Sequence, residues 1–82
     1  MFYASNSENL FSKDSQAVAF ESRKRRDQFC ADAGFVAVDG NKANAIHQAP
    51  YLRVKPEVIR NFDGNVVGYV KENESGLYIE SN

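Results

Sequence analysis

The sequence predicts an α+β fold in which one main helix, about residues 22–33, packs on an antiparallel sheet. The sheet is expected to end in a three-stranded meander over about residues 58–80. Start and stop signals bracket the helix, an Asp-Gly pair joins two β-rich runs, and a third run alternates apolar and polar residues after them. A chain of 82 residues has the length of one small domain, so we expect residues 1–82 to form a single domain.

Two short apolar runs come first. Residues 2–4 suit a first strand, because the polar residues that follow are typical of a turn. The periodicity of residues 17–20 fits either a strand or the first turn of a helix. In the second case one helix would extend over residues 14–33, and its polar stretch, residues 21–28, would stand clear of the core.

The helix signal begins at Ser22, a favoured N-cap residue, and ends before Gly34, a natural residue for the position after a helix. Phe29, Cys30 and Ala33 fall on one face at helical spacing. This face is expected to pack on the sheet, with the aliphatic part of a neighbouring arginine beside it.

The middle of the chain holds three shorter predicted elements. Residues 35–38 are strand formers ended by an Asp-Gly pair, and residues 41–48 fit a short helix. Between two prolines, residues 51–55 alternate in a way that fits a half-buried edge strand. Leu52 and Val54 would face inward.

The C-terminal third carries the strongest pairing signal. Residues 58–62 and 65–70 are β-rich runs joined by the Asp-Gly pair at 63–64, which predicts a hairpin with a two-residue turn. Residues 72–76 predict a second turn. Residues 77–80 then alternate as a third strand, which completes an antiparallel meander.

The composition is that of an ordinary soluble globular protein, with 10 basic and 11 acidic residues and a formal net charge of -1. The single cysteine, Cys30, cannot form an intramolecular disulfide, so a reducing compartment and a cytoplasmic location are expected. The first residues lack the pattern of a signal peptide, and no apolar run approaches the roughly 20 residues of a membrane span. We therefore expect no contact with a membrane.

We expect no enzyme, cofactor or metal, because the residues for such chemistry are scattered. Cys30 and His47 are the only soft metal ligands, whereas a structural zinc site needs four. The five glycines form no phosphate-binding loop. A cysteine–histidine nucleophilic pair is the enzymatic alternative, but Cys30 falls on the apolar helix face, where a small buried hydrophobe is the usual role.

Arg23, Lys24, Arg25 and Arg26 form the one concentrated charge of the chain. Successive helix residues are about 100° apart, so four of them encircle the axis instead of forming one stripe. The sequence pI of about 5.7 is also far below the value of roughly 9 that is typical of nucleic-acid-binding domains. We rank a solvated helix surface first for this run, contact with an acidic protein second and contact with nucleic acid third.

Because this small chain has complete folding signals and no catalytic residues, we expect it to act by binding a partner. The leading hypothesis is a non-enzymatic protein–protein interaction module that regulates or inhibits a larger macromolecular target. A phage or mobile-element factor that acts on a nucleic-acid-processing complex is its most specific form. The alternative is direct binding of nucleic acid, and homodimerisation through exposed edge strands is also open. The residues expected to contact the partner are Arg23, Lys24, Arg25, Arg26, Arg53 and Lys55.

Overall fold

One helix packs against one face of a six-stranded antiparallel sheet in the part of the chain that a computed structural model describes, residues 1–7, 12–38 and 55–82. The α+β class is therefore confirmed. The elements in chain order are β1 (Phe2–Ser5), β2 (Gln16–Phe20), α1 (Arg23–Ala33), β3 (Val36–Val38), β4 (Val58–Asn61), β5 (Val66–Asn73) and β6 (Gly76–Ser81).

The strands lie in the order β3-β1-β2-β4-β5-β6, and each neighbouring pair is antiparallel. Because β4, β5 and β6 are consecutive in both chain and sheet, the predicted C-terminal meander is confirmed. The helix contacts β1, β2, β3 and β6, which come from both ends of this order, so the sheet curls around it. Among the described strands, β3 and β6 are the edges.

The second apolar run is a strand, and the alternative of one long helix from residue 14 is wrong. Val18 and Phe20 face the helix, whereas Ala17 and Ala19 belong to a second apolar cluster with Tyr3. All five side chains are buried. A strand that is buried on both faces reads as a continuous apolar run, which is why periodicity alone did not identify it.

The predicted helix boundaries are confirmed, because both caps form. The Ser22 Oγ accepts a hydrogen bond from the Arg25 amide at 3.3 Å. At the other end Gly34 adopts the left-handed conformation with φ 75°, and its amide donates to the Cys30 carbonyl at 3.0 Å. Serine is a favoured N-cap residue and glycine is favoured after the last turn, so both ends of the helix follow from these residue types.

The core lies between α1 and the sheet, and Phe29 is at its centre. Its ring centroid is 5.3 Å from that of Phe20 and 4.8 Å from that of Phe35. Cys30 and Ala33 are partly buried against the same cluster, so the predicted apolar helix face is confirmed. The other buried members are Ala4, Val18, Ile59, Val70 and Leu77.

The hairpin between β4 and β5 forms, but its turn is longer than predicted. The Asn61 amide donates to the Asn65 carbonyl at 3.0 Å, and the Gly64 amide donates to the Asn61 carbonyl at 2.9 Å. Residues 62–64 therefore form the turn enclosed by the hydrogen bond between Asn61 and Asn65, and Gly64 takes the left-handed position with φ 85°. The prediction of a two-residue turn was wrong, because an Asp-Gly pair suits both a two-residue turn and the end of a three-residue one.

The second turn lies within the predicted segment, and the helix meets β6 directly after it. Asn73 pairs with Gly76, so two residues connect β5 and β6. The Asp32 Oδ2 accepts a hydrogen bond from the Leu77 amide at 2.9 Å. Gly76 has φ 128°, and a Cβ atom there would lie 2.5 Å from the same carboxylate oxygen. The helix is thereby joined to the beginning of β6.

The predicted first strand and the strand after the helix are confirmed as β1 and β3. The predicted helix over residues 41–48 and the first four residues of the predicted edge strand, residues 51–54, lie outside the described residues. Lys55 is described, and it lies in a bend before β4 instead of in a strand. The following proline has no amide hydrogen, so strand pairing cannot continue across it.

Candidate partner-binding surfaces

The four consecutive cations of α1 do not form one surface. The side chains of Arg25 and Arg26 turn towards the protein, whereas Arg23 and Lys24 are exposed. This division follows from the rotation of about 100° per residue along a helix.

Arg25 is held by two carboxylates. Its Nε and Nη2 donate to the two Glu57 carboxylate oxygens at 2.7 and 3.0 Å, and its Nη1 donates to Glu72 Oε1 at 3.1 Å. These hydrogen bonds, first from Glu57 and then from Glu72, raise the pKa of the Arg25 guanidinium above its ordinary value. The paired geometry fixes the guanidinium plane. Arg25 therefore fastens the first turn of the helix to the sheet.

Glu57 is held by its backbone as well. Its amide donates to the Ala19 carbonyl at 2.8 Å, and its carbonyl accepts from the Val70 amide at 3.0 Å. Among the described residues it is the only non-glycine residue with a positive φ, 62°. Such a conformation costs about 1–2 kcal/mol for a residue with a Cβ atom. The hydrogen bonds to β2, β5 and α1 hold it there, so Glu57 is a structural junction.

Replacing Arg25 by alanine is expected to lower the free energy of unfolding by about 1 kcal/mol, because a part-exposed bidentate ion pair is lost. Arg23→Ala is the matched control on the same helix. The Arg23 side chain is 73% exposed and lies 3.9 Å from Asp27, so we expect a change of less than about 0.5 kcal/mol. Urea unfolding followed by circular dichroism measures both variants, and equal effects would contradict the division of the basic run.

Arg26 covers the side of the core. Its side chain is 11% exposed, its Nη1 donates to the Tyr3 carbonyl at 3.2 Å, and its Nε donates to Asp27 Oδ1 at 2.6 Å. The guanidinium carbon lies 5.8 Å from the centroid of the Phe2 ring. Arg26 is therefore the arginine whose aliphatic part was expected beside the apolar helix face. Its Nε and Nη1 are therefore engaged within the fold.

The expected partner-binding residues therefore separate. Arg23, Lys24 and Lys55 are exposed, whereas Arg25 and Arg26 make intramolecular ion pairs. Arg53 lies outside the described residues. Contact between these side chains and a partner stays a prediction.

Cys30 lies on the core side of α1 and is partly buried. Burial raises the pKa of its thiol, which favours the protonated and less reactive form. His47, its hypothetical catalytic partner, lies outside the described residues. Over residues 1–7, 12–38 and 55–82, no three histidine, cysteine, aspartate or glutamate side chains come together to hold a metal ion.

A mixed aromatic and charged surface lies on the face of β5 and β6 that points away from α1. Tyr69, Lys71, Tyr78 and Glu80 form this hairpin patch, and the register pairs Tyr69 with Glu80 and Lys71 with Tyr78. The Lys71 Nζ lies 5.9 Å from the centroid of the Tyr69 ring. Tyr78 is 41% exposed. An aromatic ring, a cation and a carboxylate are therefore adjacent on the solvent-facing side of this strand pair.

The edge of β6 that pairs with no described strand borders the hairpin patch. The Leu77 amide points away from β5, since it donates to Asp32, and the Asn82 amide donates back to the Val67 carbonyl at 3.1 Å. In an antiparallel strand the outward groups recur at every second residue, so the amides and carbonyls of Ile79 and Ser81 also point outward. No described residue hydrogen-bonds to the Ile79 or Ser81 groups on that side.

The residues of the hairpin patch were not among the predicted partner-binding residues. The alternation of residues 77–80 already placed Tyr78 and Glu80 on one face, and that was the available signal. The position of β6 at an edge follows from the strand order, which no local pattern contains. The position of Tyr78 beside an edge of the described sheet is therefore apparent only from the assembled strands.

Comparisons with protein-family models, with curated proteins and with solved structures found no match to this chain. Within the described residues, the helix is too short and too polar to cross a membrane.

Proposed function

We propose that this protein is a non-enzymatic protein–protein interaction module that regulates or inhibits a larger macromolecular target, and that it binds this target through the hairpin patch. The supporting observation is the exposure of Tyr78 on the paired strands β5 and β6, beside Lys71 and Glu80. Tyrosine is enriched in protein interfaces, because it offers a large amphipathic contact area and loses little conformational entropy.

The neighbours of Tyr78 fit the same function. Tyr69 extends the aromatic area, and the two charges supply the polar rim that surrounds an interface core. The exposed cations Arg23 and Lys24 are available for a further contact with an acidic region of the target. The proposal places the protein in the cytoplasm, as expected from its single cysteine, and retains a nucleic-acid-processing complex of a phage host as the target class.

A tagged capture from lysate of the source cell, run with and without nuclease, tests this function. We expect a protein to be recovered in stoichiometric amount after nuclease treatment and to be lost with Tyr78→Thr, which keeps a strand-forming residue at that position. Recovery of nucleic acid, with every protein lost after nuclease, would contradict the proposal.

Direct nucleic-acid binding is the second candidate, and the exposure of Arg23 and Lys24 favours it. Its weakness is that Arg25 and Arg26 are occupied by carboxylates and a backbone carbonyl. Two contacts to phosphates would give a slope of about -1.8 for log affinity against log salt concentration. Titration of labelled duplex and single strands at two salt concentrations, with wild type and the double variant Arg23→Ala/Lys24→Ala, measures this slope. Binding that loses this slope in the double variant would favour the second candidate.

A further inference from the structure

The β6 edge offers a short, defined site for backbone pairing. Asp32 accepts the hydrogen bond of the Leu77 amide, and no described residue pairs with the outward amides and carbonyls of Ile79 and Ser81. Ser81 is exposed, and Ile79 is only partly buried. An added strand needs this alternating row of donors and acceptors on an accessible edge.

The charges of the side chains along this edge determine which charge is favourable on an added strand. Tyr78 and Glu80 project from the outer face of β6, and both are exposed. No described cation lies within ion-pair distance of the Glu80 carboxylate. Glu74 in the preceding turn is also exposed. The one cation of this hairpin, Lys71, lies on the next strand beside Tyr69. The edge is therefore acidic, with an aromatic ring next to the carboxylate.

We propose that the β6 edge binds an extended basic segment of the partner protein, which adds as a strand beside β6. This inference rests on the proposed interaction function and names the chemistry of the partner. The partner backbone pairs with Ile79 and Ser81, and a lysine or arginine of the partner lies opposite Glu80. An apolar or cationic side chain of the partner covers Tyr78. Opposite charges on neighbouring strands stabilise such pairing, whereas like charges oppose it.

A second copy of the chain fits this edge less well. In a symmetric pairing centred on Ile79, each Glu80 lies opposite Tyr78 of the other copy, so neither carboxylate meets a cation. A symmetric pairing centred on Glu80 places the two carboxylates directly opposite each other, which destabilises the pair. Charge complementarity therefore favours a basic partner over self-association.

Amide hydrogen exchange measured by NMR tests the proposal with two probes. The first is a capped seven-residue peptide that alternates lysine and valine, and the second carries glutamate in place of each lysine. At about 90% occupancy the Ile79 and Ser81 amides are expected to exchange about tenfold more slowly with the lysine peptide, and to be unchanged with the glutamate peptide. Equal protection by both peptides, or protection that is absent at these two amides, would overturn the proposal.

Two variants separate backbone pairing from charge. Ser81→Pro removes an outward donor at the end of an edge strand, where proline is tolerated, and Ser81→Ala keeps that donor. We expect at least a tenfold loss of affinity for the lysine peptide with proline and less than a twofold change with alanine. Glu80→Lys is expected to reverse the preference between the peptides. If neither Ser81→Pro nor Glu80→Lys changes binding, strand addition at β6 is wrong.

The remaining outcomes distinguish this inference from the function on which it rests. Protection of Ile79 and Ser81 that rises with protein concentration and without peptide would overturn the basic partner in favour of a second copy. Capture of a protein that depends on Tyr78, together with unprotected Ile79 and Ser81 amides, would keep the interaction module and remove strand addition. Protection by the lysine peptide with no captured protein would support the edge chemistry and contradict the proposed function.

Discussion

Phe29→Ala is expected to lower the free energy of unfolding by about 3–5 kcal/mol, because it removes the ring on which Phe20 and Phe35 pack. Phe29 is fully buried between α1 and the sheet, so little can move in to fill the cavity. Small domains have total stabilities of about 5–15 kcal/mol, and this one is short. Most of the stability should therefore be lost.

Phe2→Ala is the matched control for Phe29→Ala. Phe2 is 38% exposed and lies at the beginning of β1, so the same substitution should cost no more than about 1–2 kcal/mol. Urea unfolding followed by circular dichroism gives both values. Equal losses for the two variants would contradict the placement of the core between α1 and the sheet.

Gly76→Ala is expected to cost about 2–4 kcal/mol, for two physical reasons that add. The φ of 128° is unfavourable for a residue with a Cβ atom, and this atom would lie 2.5 Å from Asp32 Oδ2. Relief of that contact displaces the Asp32 carboxylate, which then loses its hydrogen bond to the Leu77 amide. The helix and the beginning of β6 would then no longer be joined at Asp32 and Leu77.

Gly34→Ala measures the conformational contribution without the steric one. Gly34 also has a positive φ, 75°, but a Cβ atom there would have no neighbour within 4 Å, so only the conformational cost of about 1 kcal/mol applies. In an Asp32→Ala background, the cost of Gly76→Ala should fall, because the steric contact is absent. A cost of Gly76→Ala that is unchanged by Asp32→Ala would show that the contact with the helix is unimportant. Thermal and urea unfolding of the four variants measure these differences.

Local signals predicted the elements whose ends are fixed by particular residues. Ser22 caps the helix because its hydroxyl accepts an amide hydrogen bond, and Gly34 ends it because a residue without a Cβ atom adopts the left-handed conformation readily. The hairpin around residue 63 follows from its Asp-Gly pair. The length of that turn was not determined, because Gly64 fits two turn geometries. The strand at residues 17–20 was ambiguous, because burial on both faces removes the alternation.

The contacts that organise the candidate surfaces join residues distant in the chain. Arg25 and Glu57 are 32 residues apart, and Asp32 and Leu77 are 45 apart. No local pattern predicts that Glu57 adopts a positive φ to receive Arg25. Helix geometry predicted that the four consecutive cations point in different directions. That Glu57 and Glu72 hold Arg25 was not predictable, because these partners are distant in the chain.

The most direct test of binding through the hairpin patch compares two variants in one capture experiment. Tagged wild type, Tyr78→Thr and Arg23→Ala/Lys24→Ala are incubated with equal amounts of nuclease-treated lysate of the source cell. Quantitative mass spectrometry then gives the amount of each recovered protein per tagged molecule. A hot-spot tyrosine at the centre of an interface contributes about 2 kcal/mol or more. If Tyr78 has this role, Tyr78→Thr should reduce recovery at least about tenfold, and the double variant should retain it. Full recovery with Tyr78→Thr and loss with the double variant would contradict the proposal and assign binding to the basic run.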